Sequence, residues 1–329
     1  MPQISIDQIK DTATKALIAH GAQDWIAAAV ADATGEAEAH GNIICGLYYL
    51  ESYCTQLASG RVKGDVMPTV HQPRPASVLV DAGYGFAQPA FQSGLPAAVS
   101  AARHNGVATL SVAHAHTCTS LGYFTEQIAR SGLIALGFTN ASPIVAGPGG
   151  KARVIGTNPI AFSVPDGDGG MALHFDCSTS AVALGKITMA KAAGDAIPLG
   201  WAVDKDGVPT TDPAAAIDGA LVSAGDYKGW GFGLMVEILA AGMTGSVNSL
   251  DVGGLKLPDG PPHGLGQFYI LMDPATHHDH FADRLARVVD SIAADDGARV
   301  PGQSRNRMDA VSVDDAFWDK VEALTQPGL

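Results

Sequence analysis

Between residues 108 and 176, short apolar segments typical of strands stand on both sides of one segment typical of a helix. This arrangement restricts the possible folds more than any other feature of the sequence. The helix-like segment covers residues 120–132 and ends at Gly132, a residue type that commonly terminates helices. Because strands and helices mix along one stretch of chain, we predict an α/β or α+β fold, although periodicity does not set the strand order. The strand-like segments are residues 108–114, 133–138, 159–165 and 172–176.

Helical patterns flank this central region on both sides. Ile9 and Leu17 recur at helical spacing after a cap at Ser5, and residues 280–295 carry an apolar stripe. We therefore predict helical parts on both sides of a central α/β part.

Composition and charge exclude several classes of function. The 329 residues carry a net charge of −13, which argues against a general nucleic-acid-binding surface. No apolar run reaches the roughly 18–20 residues of a membrane span, and the first residues lack a secretory signal, so we predict a cytoplasmic protein. The four cysteines form no close C-x-x-C pair, so we expect reduced thiols and no metal site.

The usual nucleotide-binding fingerprints are absent. The closest approach to G-x-G-x-x-G is GYGFAQ, in which Gln88 stands where the third glycine belongs, and no P-loop sequence is present. A nucleotide, if bound, must be held by another scaffold.

The segment 113–123, AHAHTCTSLGY, follows a predicted strand and opens a predicted helix. His114 and His116 are two residues apart, so in extended backbone their side chains point to the same face. A helix N-terminus offers free N–H groups to an anion, which makes the segment a candidate ligand site. Two hydrogen-bonded surface histidines are the alternative interpretation.

Three further segments combine polar residues with tight turns. Asp176 ends a predicted strand near Ser178, where an acid either orients a histidine or caps a helix. Lys228 lies among glycines before an apolar helix, where a lysine either meets a phosphate or carboxylate or is simply solvated. Gly-Pro-Gly-Gly and Gly-Thr-Asn-Pro within residues 139–165 are either structural turns or places where backbone approaches a ligand.

These segments, with others spread over nearly the whole chain, resemble the malate/L-lactate dehydrogenase family of the second type. The resemblance implies an NAD(P)-dependent oxidoreductase that acts on a small molecule and forms a homodimer. It also implies a non-Rossmann, mixed-sheet α/β fold with helical N- and C-terminal segments. The resemblance further implies one family unit over residues 1–329, with a helical part (1–75), an α/β part that binds cofactor and substrate (76–279) and a second helical part (280–329) that packs with the first. The matching motifs are GFAQPA (85–90), HAHTCTSLGYF (114–124), GLIALGFTN (132–140), GTNPIAF (156–162), FDCSTS (175–180), IPLGWAVDKDGVPTTDP (197–213), YKGWGFGLMVEILAAGMTG (227–245) and RVPG (299–302).

The resemblance also assigns roles to particular positions. His116 aligns with a histidine that acts as acid or base in some members, and Asp176 aligns with an acid that orients a catalytic histidine in others. The positions expected to line the cofactor are Thr117, Cys118, Thr119, Ser120, Leu121, Gly122, Ser178, Lys228, Pro301, Gly302 and Arg305.

The expected cofactor is NADP(H) or NAD(H), with NADP(H) slightly favoured. NADP(H) requires a basic contact for its 2′-phosphate. The candidates for that contact are Arg103, Lys151, Arg153, Arg305 and Arg307.

The chain departs from the family in its N-terminal signature, which is Ser-His-Gly followed three residues later by Arg. The serine is Ile44 here, the proton-donating histidine is Cys45, and the arginine that binds the substrate carboxylate is Tyr49. A neutral thiol is a poor hydrogen-bond donor, and a tyrosine cannot clamp a carboxylate in bidentate fashion. The residues expected to take over substrate recognition are Tyr48, Tyr49, His114, His116 and Ser142.

These changes favour reduction of a C=N bond, because a protonated imine needs only a hydride whereas a ketone also needs a proton on oxygen. Three hypotheses follow. The first is a reductase of imines or 2-oxo acids, with Cys45, His116 and Asp176 as catalytic candidates. The second is a 2-hydroxy-acid dehydrogenase in which Cys45 or His116 donates the proton. The third is a catalytically weak paralogue that only binds nucleotide.

Overall fold

A computed structural model describes residues 1–303 and 306–326. The strands are β1 (Gln3–Ser5), β2 (Thr69–Arg74), β3 (Ser77–Asp81), β4 (Val107–Ala115), β5 (Ile134–Thr139), β6 (Val145–Ala146), β7 (Arg153–Ile155), β8 (Ile160–Pro165), β9 (Met171–Cys177), β10 (Ala202–Val203), β11 (Ala220–Leu221), β12 (Leu265–Met272) and β13 (Ala310–Ser312). The α-helices are α1 (Ile6–Ala19), α2 (Asp24–Ala39), α3 (Leu50–Ala58), α4 (Ala87–Asn105), α5 (Gly122–Arg130), α6 (Leu184–Ala193), α7 (Pro213–Asp218), α8 (Tyr227–Glu237), α9 (Phe281–Ala293) and α10 (Asp315–Ala323). Shorter helical turns are Ile43–Cys45, Leu47–Tyr49, Ser249–Asp251 and Pro274–Thr276, and a π-helical turn, Ile238–Gly242, continues α8.

The secondary structure predicted for the central region is confirmed. The four strand-like segments form β4, β5, β8 and β9, and the helix-like segment forms α5. Gly132 adopts a positive φ of 81° just after α5, as expected of a residue that ends a helix. Ser5 caps α1, because its hydroxyl accepts a hydrogen bond from the backbone N–H of Gln8 (3.1 Å).

The central sheet is mixed, with the strand order β2-β3-β4-β12-β5-β8-β9. Strand β3 runs parallel to β4, and the other neighbouring pairs are antiparallel. Helices α4 and α5 cover one face, where Phe91 packs against Phe124 and Tyr269. Helix α8 and its π-helical turn cover the other face, where Val236 and Phe268 share a small core. The predicted mixed-sheet α/β fold is confirmed, and a second sheet, of order β10-β11-β6-β7, lies beside it.

One end of the central sheet collects the segments that the sequence singles out. The strands β3, β4, β5 and β9 finish at this end, whereas β8 and β12 begin there. We call it the site end. Its paired residues are Ala115↔Leu265, Thr139↔Gln267, Phe138↔Ile160 and Ile160↔Cys177.

The helical layer joins both ends of the described chain. Strand β1 pairs antiparallel with β13, with Ile4 opposite Val311. Trp318 and Val321 of α10 enter the same core cluster as α1 and α2. Leu47, beside the altered signature, is also part of this cluster. The division into three parts at residues 75 and 279 stays a prediction.

Helix α9 forms where the sequence predicts it, yet none of its side chains is fully buried in the described part of the chain. Leu285 and Val289 line a cavity of about 680 Å³ shared with Met171 of β9, and Val288 is 58% exposed. The helices of the described residues are too short or too polar to span a membrane.

Replacing Gly266 by alanine is expected to destabilise the fold strongly. Gly266 lies in β12 beneath the π-helical turn, and a Cβ atom there would lie 1.7 Å from the carbonyl oxygen of Ala240. Because backbone must shift to accommodate it, we expect the free energy of unfolding in urea to fall by about 3 kcal/mol. Gly242→Ala is the matched control, since nothing lies within 4 Å of a Cβ atom at that position. Equal stability of the two variants would contradict this account of β12.

Candidate functional site

The carboxylate of Asp176 lies at the N-terminus of α5. Its Oδ2 atom accepts hydrogen bonds from the backbone N–H of Gly122 (2.7 Å) and from the hydroxyl of Ser120 (3.5 Å). The helix N-terminus that the sequence marks as an anion site therefore holds an anion from the protein itself. These two hydrogen bonds support the predicted role of Asp176 as a helix cap. Its role in orienting a catalytic histidine stays a prediction.

A cavity of about 370 Å³ opens beside this carboxylate. Pro301 and Gly302 form one wall, which rests on β9, where the His174 backbone N–H donates to the Pro301 carbonyl (2.9 Å). A Cβ atom at position 302 would lie 2.8 Å from the His174 backbone nitrogen, so the close approach requires glycine. The lining residues are His40, Asn42, Ser120, His174, Phe175, Asp176, Arg299, Val300, Pro301 and Gly302.

The structure thus brings several predicted cofactor residues to one cavity. Ser120, Pro301 and Gly302 line it, and the rest of the segment 117–122 leads from β4 into α5. Thr119 has a positive φ of 59°, a strained conformation of the kind found at ligand sites. Arg305 lies outside the described residues.

Ser178 and Lys228 lie at a second position near the site end. The Ser178 and Ser180 hydroxyls are hydrogen-bonded (3.1 Å), while Lys228 is exposed at the start of α8. The two segments meet where the backbone N–H of Ala224 donates to the Thr179 carbonyl (2.9 Å). A lysine at a helix N-terminus is suited to a phosphate group, because the helix dipole adds to its charge.

The candidates for a 2′-phosphate contact differ in availability. Arg103 donates to the Ser131 carbonyl, Arg153 to the carbonyls of residues 217 and 219, and Arg307 to Glu36. Lys151 is exposed in the turn between β6 and β7. Among the described candidates, Lys151 is therefore the cation most open to a ligand.

The altered signature forms the turns between α2 and α3, where the Cys45 thiol is partly buried. Burial raises the pKa of the Cys45 thiol to about 12, and the negative charge of Asp176 adds to this shift. The thiol therefore stays protonated at neutral pH. Tyr49 follows it closely and packs its ring 5.3 Å from that of Tyr53, while Tyr48 is exposed.

Glu38 fixes the path of these turns. Its Oε1 atom accepts a hydrogen bond from the backbone N–H of Leu47 (2.7 Å), and burial raises the pKa of its carboxyl group. A Cβ atom at Gly46 would lie 2.2 Å from the same oxygen. The glycine of the family signature is thus kept because a buried carboxyl group occupies the space of a side chain.

His116 is buried inside a group of rings. Its imidazole stacks on that of His263 (4.0 Å between centroids) and contacts Tyr53 and Phe86 edge-on. Its Nε2 atom lies 3.0 Å from Oε1 of Gln56, an acceptor, so Nε2 carries the proton. Burial, with the neighbouring His263, holds the pKa of His116 well below its usual value. The imidazole is therefore neutral.

His114 and Ser142 lie apart from these rings. His114 has a positive φ of 52°, bonds to Asp81 through Nδ1 (3.1 Å) and packs beside Tyr84. His114 bonds to Asp81 whereas His116 bonds to Gln56, and the positive φ of His114 breaks the extended geometry assumed for the two histidines. Ser142 is half-buried in the turn after β5. A substrate role for either residue stays a prediction.

Known proteins of the same architecture carry a dehydrogenase or reductase activity. A family model described as malate/L-lactate dehydrogenase matches residues 4–322. This chain belongs to the malate/L-lactate dehydrogenase family. It is an oxidoreductase, as the resemblance of the motifs implies.

The relatives of this family member cover it almost fully. It is 37% identical to the (2R)-3-sulfolactate dehydrogenase (NADP(+)) of Chromohalobacter salexigens over 325 residues, 97% of each chain. It is 34% identical to the Delta(1)-pyrroline-2-carboxylate reductase of Ancylobacter novellus, over 99% of this chain and 98% of the relative. The crystal structure of delta1-piperideine-2-carboxylate reductase from Pseudomonas syringae pv. tomato superposes with a TM-score of 0.92 at 32% identity, over 98% of this chain and all of that one.

Sequence reasoning missed a polar group beneath the site of this dehydrogenase-family chain. Arg61 is only 3% exposed and donates to the carbonyls of Pro261 (3.0 Å) and Leu257 (2.7 Å). Gln56 donates to the Leu255 carbonyl (2.9 Å). No local pattern marks these residues, because their partners lie about 200 positions along the chain.

Replacing His263 by glutamine is expected to reduce the acid sensitivity of the fold. Burial lowers the pKa of His263 to about 3, and its Nδ1 atom accepts the backbone N–H of Thr117 (3.2 Å). In the unfolded chain this imidazole takes up a proton near pH 6.5, whereas in the folded chain it does so only near pH 3. Stability is therefore lost as pH falls from about 6.5 to about 3. Between pH 6 and 4, the slope of the unfolding free energy against pH should be smaller in the variant by about 1.4 kcal/mol per pH unit. The exposed His71→Gln is the control, and a parallel slope in H263Q would refute the assignment.

Proposed function

We propose that this protein is an NADP(H)-dependent reductase of a small cyclic imine that carries a carboxylate beside the C=N bond. The observation that carries the proposal is the protonated Cys45 thiol, near the charge of Asp176, at the family's proton-donor position. The names of the pyrroline- and piperideine-2-carboxylate reductases among its relatives support the same substrate class.

The proton donors near the site favour reduction of a C=N bond over reduction of a C=O bond. A ketone needs a proton on its oxygen as the hydride arrives, whereas a protonated imine carries its proton already. Cys45 is a weak hydrogen-bond donor, and His116 keeps its one N–H on Gln56 inside the core. Neither group matches an imidazolium as an acid, so the substrate that needs no protein acid is preferred.

The charge of Asp176 favours the same choice. That carboxylate raises the pKa values of the Cys45 and Cys118 thiols, so its negative potential extends through the site. A negative potential stabilises a cationic iminium group and opposes the negative charge that develops on a ketone oxygen.

The cavity beside Asp176 suits the nicotinamide end of a dinucleotide cofactor. It is lined by hydroxyl, imidazole and guanidinium groups from Ser120, His174 and Arg299, with glycine backbone at 302, and its volume of about 370 Å³ suits one ring system. When bound, the nicotinamide group supplies the hydride. Ser120, His174 and Gly302 would hold that end, and Lys228 a phosphate. The NADP(+) in the name of the sulfolactate dehydrogenase relative supports NADP(H) as the cofactor, with Lys151 the cation proposed for the 2′-phosphate.

A 2-hydroxy-acid dehydrogenase is the second candidate. The 37% identical sulfolactate dehydrogenase favours it, and the neutral Cys45 thiol would then donate the proton.

The proposal includes a homodimer in the cytoplasm. Phe232, Ile238 and Met243 are 54%, 63% and 58% exposed along α8 and its π-helical turn, an apolar stripe of the kind that a subunit interface buries. The four cysteines are free thiols, which fits a reducing compartment. Light scattering should give twice the chain mass.

Loss of NADPH absorbance with a substrate panel tests the function. We expect turnover of pyrroline-2-carboxylate and piperideine-2-carboxylate, and at least about 10-fold lower kcat/KM for pyruvate, oxaloacetate and sulfopyruvate. The imine rate should fall as pH rises above the pKa of the imine, because the Cys45 thiol does not ionise until about pH 12. Faster turnover of oxo acids than of imines would favour the second candidate.

A further inference from the structure

We propose that the ammonium group of Lys256 binds the substrate carboxylate in place of the guanidinium that Tyr49 has replaced. The inference rests on the proposed function and assigns its missing carboxylate anchor. Lys256 is exposed in the loop that precedes β12. Its Nζ atom lies 3.4 Å from the ring centroid of Tyr48 and 4.7 Å from that of Tyr49.

This position places a cation beside the altered signature. Tyr48 and Tyr49 directly follow the Cys45 turn, and the charge of Lys256 acts on the Cys45 thiol, where it opposes the rise in pKa. An ammonium group over ring faces is attracted to them without losing its charge, and its N–H groups stay able to donate. The family's arginine and this lysine thus reach the same neighbourhood from different parts of the chain.

Arg61, a buried cation near the altered signature, is already committed. Arg61 directs its guanidinium at two backbone carbonyls and at Oε1 of Gln56 (3.3 Å). It is also 3% exposed, so it offers no free edge to a ligand. Lys256, in contrast, has no ion pair with a carboxylate in the described part of the chain. Its ammonium group is therefore available to a ligand beside the altered signature.

The loop under Lys256 is held on both sides. The carbonyl of Leu255 accepts from the Gln56 amide (2.9 Å), and the carbonyl of Leu257 accepts from Arg61 (2.7 Å). The Ser59 hydroxyl donates to the Pro258 carbonyl (2.7 Å). A long lysine side chain loses less conformational freedom on binding when its backbone is fixed in this way. The polar residues beneath the site thus position Lys256.

Lys256→Met tests the assignment by binding as well as by turnover. Titration calorimetry with pyrrole-2-carboxylate, a planar unreactive analogue, in the presence of NADP+ should show about 30-fold weaker binding than the parent protein. The KM for pyrroline-2-carboxylate should rise similarly, with kcat changed less, while turnover of 1-pyrroline, which lacks the carboxylate, should be unchanged. Lys256→Arg should retain most of the affinity. Unchanged melting temperatures would show that the fold is intact.

Two further variants exclude a general effect of charge. Lys63→Met removes a lysine that lies 5.7 Å over the ring of Tyr84, outside the site, and should bind the probe like the parent. Tyr49→Arg added to Lys256→Met should restore much of the affinity, since it returns a cation to the family's position. Probe binding by K256M within about 2-fold of the parent would overturn the inference.

The outcomes separate this inference from the proposed function. Imine turnover by the parent with unchanged kinetics in K256M would leave the function and overturn the role of Lys256. Probe binding that depends on Lys256, without turnover of any imine, would keep the carboxylate site and overturn the reductase assignment. Absence of both binding and turnover in the parent protein would overturn both.

Discussion

A protein with histidine at position 45 and arginine at position 49 is expected to reduce 2-oxo acids about 100-fold faster than the parent chain. The histidine supplies a proton donor that ionises near neutral pH, an effect that typically contributes 10²- to 10⁴-fold, or roughly two orders of magnitude at the low end. The arginine supplies a bidentate contact for the carboxylate. NADPH oxidation with pyruvate, oxaloacetate and sulfopyruvate would measure the gain.

The single variants separate the two contributions. Cys45→His should raise kcat. It should also make oxo-acid turnover fall as pH rises above the pKa of the new imidazole, a pH dependence that the thiol does not produce. Tyr49→Arg should lower KM instead. Cys45→Ser is the matched control, because it replaces the thiol by another neutral donor. Identical kinetics of the parent and the double variant on every substrate would show that positions 45 and 49 do not decide substrate choice.

Asp176→Asn is expected to lower kcat/KM for imine reduction by about 100-fold. The amide oxygen of asparagine can still accept the N–H of Gly122, so the cap of α5 is kept while the charge is lost. Loss of a charge that stabilises a cation in a partly buried site corresponds to about two pKa units, or about 2.7 kcal/mol. The variant should also lower the pKa of the Cys45 thiol, because the carboxylate charge helps to raise it.

Asp212→Asn provides the control for this change. Asp212 caps α7 by accepting the N–H of Ala214 (2.8 Å), so the substitution is chemically the same at another helix N-terminus. It should leave imine kinetics unchanged, and the stability of both variants should stay within about 1 kcal/mol of the parent. A D176N protein with full imine turnover would remove the electrostatic argument for a cationic substrate.

Local patterns predicted the elements of this fold well because their causes are local. The apolar segments of β4 and β5, the cap at Ser5 and the end of α5 before Gly132 each depend on residues a few positions apart. The order of the strands does not depend on residues that are near one another in the sequence. Strand β12 inserts between β4 and β5 from more than 120 residues further along, and no periodicity carries that information.

The site shows the same limit. The sequence marked Cys45 and Asp176, but it left open whether Asp176 orients a histidine or caps a helix. The cap depends on a hydrogen bond from Gly122, 54 residues away, which no local pattern shows. No local pattern identifies Lys256, because its position depends on the Tyr48 ring and on two hydrogen bonds to its loop from α3 and the segment after α3. Helix α9 shows that an amphipathic stripe identifies a helix without identifying what covers it.

The pairing of β1 with β13 bears on when this enzyme becomes competent during its synthesis. The backbone groups of residues 3–5 can pair with β13 only after residues 310–312 have left the ribosome. The turn that carries Cys45 stands on the same core, through Leu47, that Trp318 of α10 completes. Contacts of such long sequence separation form slowly. The central sheet of the nascent chain can therefore be completed once β12 has been made, whereas the turn that carries Cys45 gains its full support only after α10 has docked.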